Sequence, residues 1–192
     1  MRRIVIAAAL LALAAAGCSV FKSHGVADYY PLKKDAAWTY RVTSYEHTAA
    51  GESLVRTARV TGEKDGEFQL QQGEERYAYL LSKEGLMKAK SRTFILKEPL
   101  DVGAAWAIEV SGGGITLQGQ AAITAKGVEA SASGRTYKDC VVVQETYQNI
   151  GRHVTTYCAG VGMVKLEVYE TEKGGEKLLR KAERLATQGA AE

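Results

Sequence analysis

The sequence predicts an all-β protein, an antiparallel meander forming a barrel or a strongly curled sheet, after an N-terminal signal helix. Three observations carry that expectation. Apolar and polar residues alternate with period two along most of the chain. Glycine-bearing turns recur about every eight to twelve residues, the spacing of short antiparallel strands. Between the leader and the last turn, no stretch shows the apolar spacing of an amphipathic helix.

The leader comes first. Met1-Arg2-Arg3 is basic, Ile4 to Ala16 is a run without charge, and Ala15-Ala16-Gly17 leads into Cys18. A basic start, a short apolar stretch and small residues make a secretory signal too short for a stable membrane span. With cysteine directly after the small residues, the run resembles a bacterial lipobox, although Ala15 stands where leucine is commoner. The resemblance implies cleavage before Cys18 and acylation (palmitate among the chains) of Cys18, a lipid attachment that anchors the chain to a membrane. Ser19 follows, not the aspartate that by resemblance to known sorting rules retains a lipoprotein at the inner membrane, so the expected site is the outer membrane, with the domain facing the periplasm. The expected organisation is a signal peptide over 1–17, a lipidated tether over 18–27 and one β domain over 28–192.

Removal of 1–17 leaves 175 of 192 residues, enough for one sizeable core. It also removes two arginines from 25 basic residues, leaving 23 against 22 acidic ones. So even a balance offers no electrostatic footprint for nucleic acid, and none is expected as a partner.

The strands follow in order. Trp38, Tyr40 and Val42 share one face, and Thr39, Arg41 and Thr43 the other; Trp106, Ile108 and Val110 repeat that arrangement. Phe68 and Leu70, then Ile115 to Ile123, then Val164, Leu166 and Val168 alternate in the same way. One apolar and one polar face is the pattern of antiparallel sheet around a single core. The tail is ambiguous. Leu178, Ala182 and Leu185 have helical spacing, while the Gly174-Gly175 turn favours a hairpin partner for the strand before it; the strand reading is preferred.

Cys140 and Cys158 remain once Cys18 carries lipid. In an oxidising compartment an even pair favours a disulfide over two buried thiols. They flank a strand, the turn Asn149-Ile-Gly151 and a second strand. A turn centred on Ile150 leaves them nearly opposite, slightly diagonal or aligned by a bulge.

One phrase occurs twice. Residues 31–42 read PLKKDAAWTYRV and residues 99–110 read PLDVGAAWAIEV, and they hold both prolines and both tryptophans of the chain. Proline belongs just outside a sheet, small alanines let the chain pass closely, and Trp begins an inward row. The phrase reads as a strand entrance with an aromatic plug, used at two sheet entrances of similar geometry.

Tyr30-Pro-Leu-Lys-Lys-Asp-Ala-Ala-Trp-Thr-Tyr40 resembles the Tyr-x-Pro-Leu-x-x-Gly-x-x-Trp-x-Tyr opening of a group of uncharacterised bacterial lipoproteins. Tyr157-Cys-Ala-Gly-Val-Gly-Met-Val-Lys-Leu-Glu167 resembles the Tyr-x-x-Gly-Val-Gly-x-Val-Lys-x-Glu phrase near their ends. Asp35 departs from the usual glycine, which Gly103 restores in the second copy, and Cys158 is not general in the group. The resemblance implies an antiparallel β domain on a lipid anchor and no known activity.

Catalytic chemistry is not expected. His24, His47 and His153 are far apart and show no metal-ligand spacing. Cys140, His153 and Cys158 share one hairpin, but oxidised cysteines cannot ligate zinc. Gly112-Gly113-Gly114 lacks the strand, helix and lysine of a phosphate loop, and Gly160-Val-Gly162 reads as a bulge or tight strand entry. Glu74-Glu75 falls in a turn, and the tyrosines suit a barrel mouth or a partner surface. No cofactor, metal or enzyme activity follows. The leading expectation is an interaction or scaffolding domain with an envelope protein partner, and the alternative is a barrel that holds a lipid or small apolar ligand.

Overall fold

The computed structural model describes residues 24–112 and 115–186. A short helix, α1 (Val26–Tyr29), precedes twelve antiparallel strands. The first six are β1 (Ala37–Ser44), β2 (Glu52–Lys64), β3 (Glu67–Gln72), β4 (Glu75–Ser82), β5 (Gly85–Lys88) and β6 (Phe94–Lys97). The second six are β7 (Ala105–Gly112), β8 (Ile115–Ala132), β9 (Arg135–Tyr147), β10 (Gly151–Cys158), β11 (Gly162–Glu172) and β12 (Gly175–Arg184).

Sheet order runs β6-β5-β4-β3-β2-β1-β12-β11-β10-β9-β8-β7, so each half is a meander and the halves join at β1 and β12. The outer strands β6 and β7 then come together and nearly close a barrel. The tail is therefore a strand: β12 pairs with β11 on one side and with β1 on the other, two ladders that an isolated helix could not supply.

Directly paired residues share a face. Following the ladders from Trp38 assigns Tyr40 and Val42 of β1, Leu70 of β3, Tyr77 and Tyr79 of β4, Ile108 of β7, Ile123 of β8, Val141 and Val143 of β9 and Tyr157 of β10 to the interior. A wall of twelve strands encloses more space than aliphatic side chains alone can fill. Aromatic rings fill one end of it. The ring of Tyr30 lies 5.5 Å from Trp38, 5.6 Å from Tyr79 and 6.0 Å from Tyr157, centroid to centroid. Val26 and Tyr29 of α1, with Leu32 and Leu100, complete this closed end. Core contributions thus begin at Val26, two residues before the Asp28 boundary read from the sequence, because α1 is held on both sides. The Val26 N–H donates to Glu98 Oε1 at 2.9 Å and the Gly160 N–H to Asp28 O at 2.8 Å.

The two copies of the repeated phrase form two matching entrances. Ala36 N donates to Lys33 O, and Ala104 N to Asp101 O. Asp35 N donates to Val60 O at 3.1 Å, and Gly103 N to Ile123 O at 2.9 Å. The next strand answers in both places: Val60 N donates to Ala36 O and Ile123 N to Ala104 O, each at 2.9 Å. Both turns need a positive φ, 65° at Asp35 and 90° at Gly103, so aspartate takes the left-handed conformation at one entrance and glycine at the other. Each indole N–H finds a carbonyl, Trp38 at Val161 O (3.2 Å) and Trp106 at Phe94 O (3.1 Å). Gly162 is needed beside the first: a Cβ there would lie 3.1 Å from Trp38 Nε1.

Candidate functional site: the open end, the side port and the bridged hairpin

The interior changes character towards the end opposite α1. On the wall of β2, β1 and β12 the ladders stack three inward rows. Glu52, Ser44 and Arg180 form the outermost, Leu54, Val42 and Ala182 the next, and Arg56, Tyr40 and Arg184 the third. Leu166 of β11 extends the apolar row. Ala58 pairs with Gln72, the last residue of β3, so Arg56 stands beyond the β3–β4 turn and is exposed there. The rows enclose a mouth of about 390 Å³ with Tyr40, Val42, Leu54, Met163 and Leu166 inside and Glu52, Arg56, Glu75 and Arg180 around it. Glu75 is thus a strand residue at the rim, since the turn it was read into ends one residue earlier.

Arg180 Nη2 bonds Glu46 Oε1 at 3.1 Å. Glu52, Arg56 and Glu75 have no side-chain hydrogen bond or ion pair among the described residues. Tyr40, at the base of the mouth, is buried, and that burial pushes its hydroxyl pKa well up despite the opposing charge of Arg184. It stays a neutral phenol.

A second opening lies in the side wall. β5 and β6 are four residues long, whereas β4 and β7 are eight. Above the short strands is a cavity of about 1130 Å³ bordered by Gln72, Arg76, Tyr77, Tyr79, Lys88, Lys90 and Val110. Gln72 borders both spaces, so mouth and port adjoin. Below the port, β6 and β7 lie side by side without a ladder. Two side chains bridge them: Thr93 Oγ1 donates to Glu109 O at 3.0 Å, and the Trp106 indole to Phe94 O. Since Glu109 O points across this seam, the backbone groups of Ala107, two residues earlier on an unbulged strand, point the same way.

A polar cluster interrupts the apolar interior on β9 and β10. Tyr147 donates its hydroxyl to Glu145 Oε2 at 2.9 Å, His153 Nδ1 lies 3.3 Å from the same oxygen, and the Tyr147 and His153 rings are 5.1 Å apart. Burial pushes the Glu145 pKa up. Hydrogen bonds from His153 and Tyr147, and the charges of His153 and Lys88, outweigh it and leave the carboxyl below its ordinary value.

Cys140 and Cys158 form a disulfide. They are direct cross-strand partners in an unbulged β9/β10 ladder, not diagonal ones, because Tyr147 pairs with Gly151 and the turn centres on Asn149, at φ 57°, rather than on Ile150. The bulge lies on the other side of β10 and belongs to β11, where Val164 is the extra residue between the partners of Thr156 and Tyr157, so Val164 turns outward although the sequence reading put it on one face with Leu166. Period two turns both cysteines outward, where they are buried with Ala132 and Val164 in a second small core. The long β8–β9 hairpin supplies its cover, with Val128, Ala130 and Tyr137 packed against it. His153 faces inward, so Cys140, His153 and Cys158 do not converge. Cys18 and the whole of 1–17 lie outside the described residues, as does most of the tether. Among the described residues no three His, Cys, Asp or Glu side chains gather as a metal set, and no helix is long and apolar enough to cross a membrane.

Tyr29 and Tyr30 are buried in the packed end and Tyr40 at the base of the mouth, whereas Tyr77 and Tyr79 border the side port. A surface bias read from composition missed the first group, whose rings fill a wide lumen. Sequence reasoning also missed the rim residues and the Glu145 cluster. Their only signal was a charge at an inward period-two position, visible once register is known.

No protein-family model matches the chain, and no curated protein does. Two solved structures are similar to it. One is a protein from Bacteroides fragilis described as exported and of YmcC-like fold, with 9% identity, 81% of this chain and 96% of that one covered, and a TM-score of 0.44. The other is a protein from Parabacteroides distasonis described as a lipoprotein, with 12% identity, the same coverage and a TM-score of 0.43.

Proposed function

We propose that this chain is a lipid-anchored lipoprotein of the outer membrane, of the group its two phrases resemble, and that its barrel is a non-catalytic interaction domain facing the periplasm. One observation carries the interaction reading. The β6/β7 seam leaves strand-edge backbone beside a wide side port, and such edges are docking surfaces that proteins otherwise cover. The packed aromatic end argues in the same direction, since the rings of Tyr30, Trp38, Tyr79 and Tyr157 occupy that part of the lumen.

The anchor reading rests on the leader and Cys18. His24 lies at the closed end, so five residues, 19–23, separate the acylated cysteine from the barrel, a reach of about 20 Å at most. The closed end then faces the membrane, and the mouth and port are turned towards the periplasm.

The test has two parts in the full-length chain. Incorporation of a palmitate analogue is expected in the wild type and lost in Cys18→Ser; incorporation that persists in the variant removes the anchor. A photo-reactive residue in place of Ala107 or Lys90 is expected to capture one defined envelope protein in intact cells. One in place of Glu129, on the far hairpin, is expected to capture none. Capture from Glu129 alone, or equal capture from all three, overturns the seam as the contact surface.

A further inference from the structure

We infer that the mouth of the barrel is a binding site for a small zwitterionic amphiphile, with its apolar chain inside the mouth and its two charges on the rim. The inference does not depend on the protein-partner reading.

The rows of the β2–β1–β12 wall carry the argument. An apolar row, Leu54, Val42 and Ala182 with Leu166, lies directly inside a charged one, Glu52, Ser44 and Arg180. Met163 and the Tyr40 ring line the space further in. Adjacent rows on one face are about 7 Å apart, so a chain of about eight carbons, roughly 10 Å when extended, reaches from the rim past the row of Leu54 and Val42. The volume, about 390 Å³, is within the range of small-molecule pockets, roughly 300–1,000 Å³.

The charge arrangement selects the head group. Glu52 and Glu75 offer carboxylates, Arg56 offers a guanidinium, and none of the three has a partner among the described residues. Arg180 is partly committed to Glu46. A purely anionic head would meet Arg56 but lie against two carboxylates, and a purely cationic head would meet the carboxylates but lie against Arg56. A head carrying both charges satisfies both signs. Unmatched like charges oppose the other two classes, which is how a rim of mixed sign discriminates. Leu54 is 48% exposed, an apolar side chain at the entrance whose covering by an alkyl chain would remove surface from water.

Four eight-carbon probes with one tail test the inference on the full chain in its mature form: octylphosphocholine, octyl sulfate, octylammonium and octanol, each below its micelle concentration. Titration calorimetry is expected to rank octylphosphocholine at least tenfold tighter than either singly charged probe, with octanol weakest. Arg56→Gln should weaken octylphosphocholine at least fivefold and abolish its lead over octylammonium. Leu54→Asp, at a half-exposed position that the fold does not need filled, should abolish binding of all four. Equal affinities for the four probes overturn the zwitterionic class. Binding unchanged in both variants moves the site away from the mouth, and no binding by the wild type removes it. Capture at Ala107 or Lys90 is read separately, so either inference can fail while the other stands.

Discussion

The two halves of the barrel meet twice, and the two junctions are built differently. Between β1 and β12 five residue pairs, from Tyr40 opposite Arg184 to Ser44 opposite Arg180, form a continuous ladder. Between β6 and β7 there is no ladder among the described residues; the Thr93 hydroxyl and the Trp106 indole reach backbone carbonyls across the gap. Yet β1 and β7 begin with the same phrase and the same three entrance hydrogen bonds. The entrances therefore do not decide whether the wall closes. Strand length does: β12 has ten residues beside β1, while β6 has four beside β7. A short neighbour leaves an edge, and the edge leaves the port.

The largest expected difference between the junctions is at the tryptophans. Trp38→Ala empties the packed end beneath Tyr30, and a buried aromatic truncated to alanine costs about 3–5 kcal/mol. Trp106→Ala deletes a similar ring but also releases one of the two bridges, so its signature should be local. Amides of β6 should exchange with solvent faster, at the same residual global stability, than they do in Trp38→Ala. Urea unfolding combined with native-state hydrogen exchange reads both quantities, and identical exchange in the two variants would mean that the β6/β7 bridges hold nothing.

The second half alone carries a covalent tie. Reducing the Cys140–Cys158 bridge, whose sequence separation is 18, should cost about 3 kcal/mol by the loop-entropy relation. Its second effect is spatial: the outer core of Ala132 and Val164 should loosen while Tyr30 and Trp38 remain packed. Tryptophan fluorescence that follows reduction step for step would contradict that separation.

Next comes the turn residue of each entrance. Gly103→Ala forces a Cβ into φ 90°, with no neighbouring atom to clash and none to help, and should cost about 1–2 kcal/mol. Asp35→Gly at φ 65° should change stability by no more than a few tenths of that, because aspartate already tolerates the left-handed region. Thermal melts of the two variants measure this directly, and a Gly103→Ala melt equal to wild type would remove the equivalence of the entrances.

The smallest effect expected depends on pH. Glu145 is held below its ordinary value of 4.5 in the folded chain, so its contribution is present above that pH and is lost as pH falls through the folded value. Wild type should therefore lose stability more steeply below pH 4.5 than Glu145→Gln, with the curves parallel at neutral pH. Parallel curves throughout would assign the cluster no role in acid stability.

Much of this was legible in the chain. Trp38, Tyr40, Phe68, Leu70, Trp106, Ile108 and Ile123 are buried where the period-two reading placed them on an apolar face. The repeated phrase announced two entrances because proline, paired alanines and tryptophan act through local backbone constraint. The disulfide partners were readable because a hairpin brings near neighbours together. The exact pairing was not, since a shift of the turn from Ile150 to Asn149 moves every partner in the ladder. The rim was not legible either: Ser44, Glu52 and Arg180 say nothing about one another until β12 is found beside β1.

The sequence by itself determined the strand type, the inward faces of β1, β3 and β7, the two tryptophan entrances and the cysteine pair, all of which depend on residues close together along the chain. Tertiary structure decided which strands closed the wall, that β5 and β6 stop short, and that charges from both ends of the chain surround an apolar mouth. Those outcomes depend on ladder register between distant segments, where one residue of slip turns every side chain to the opposite face.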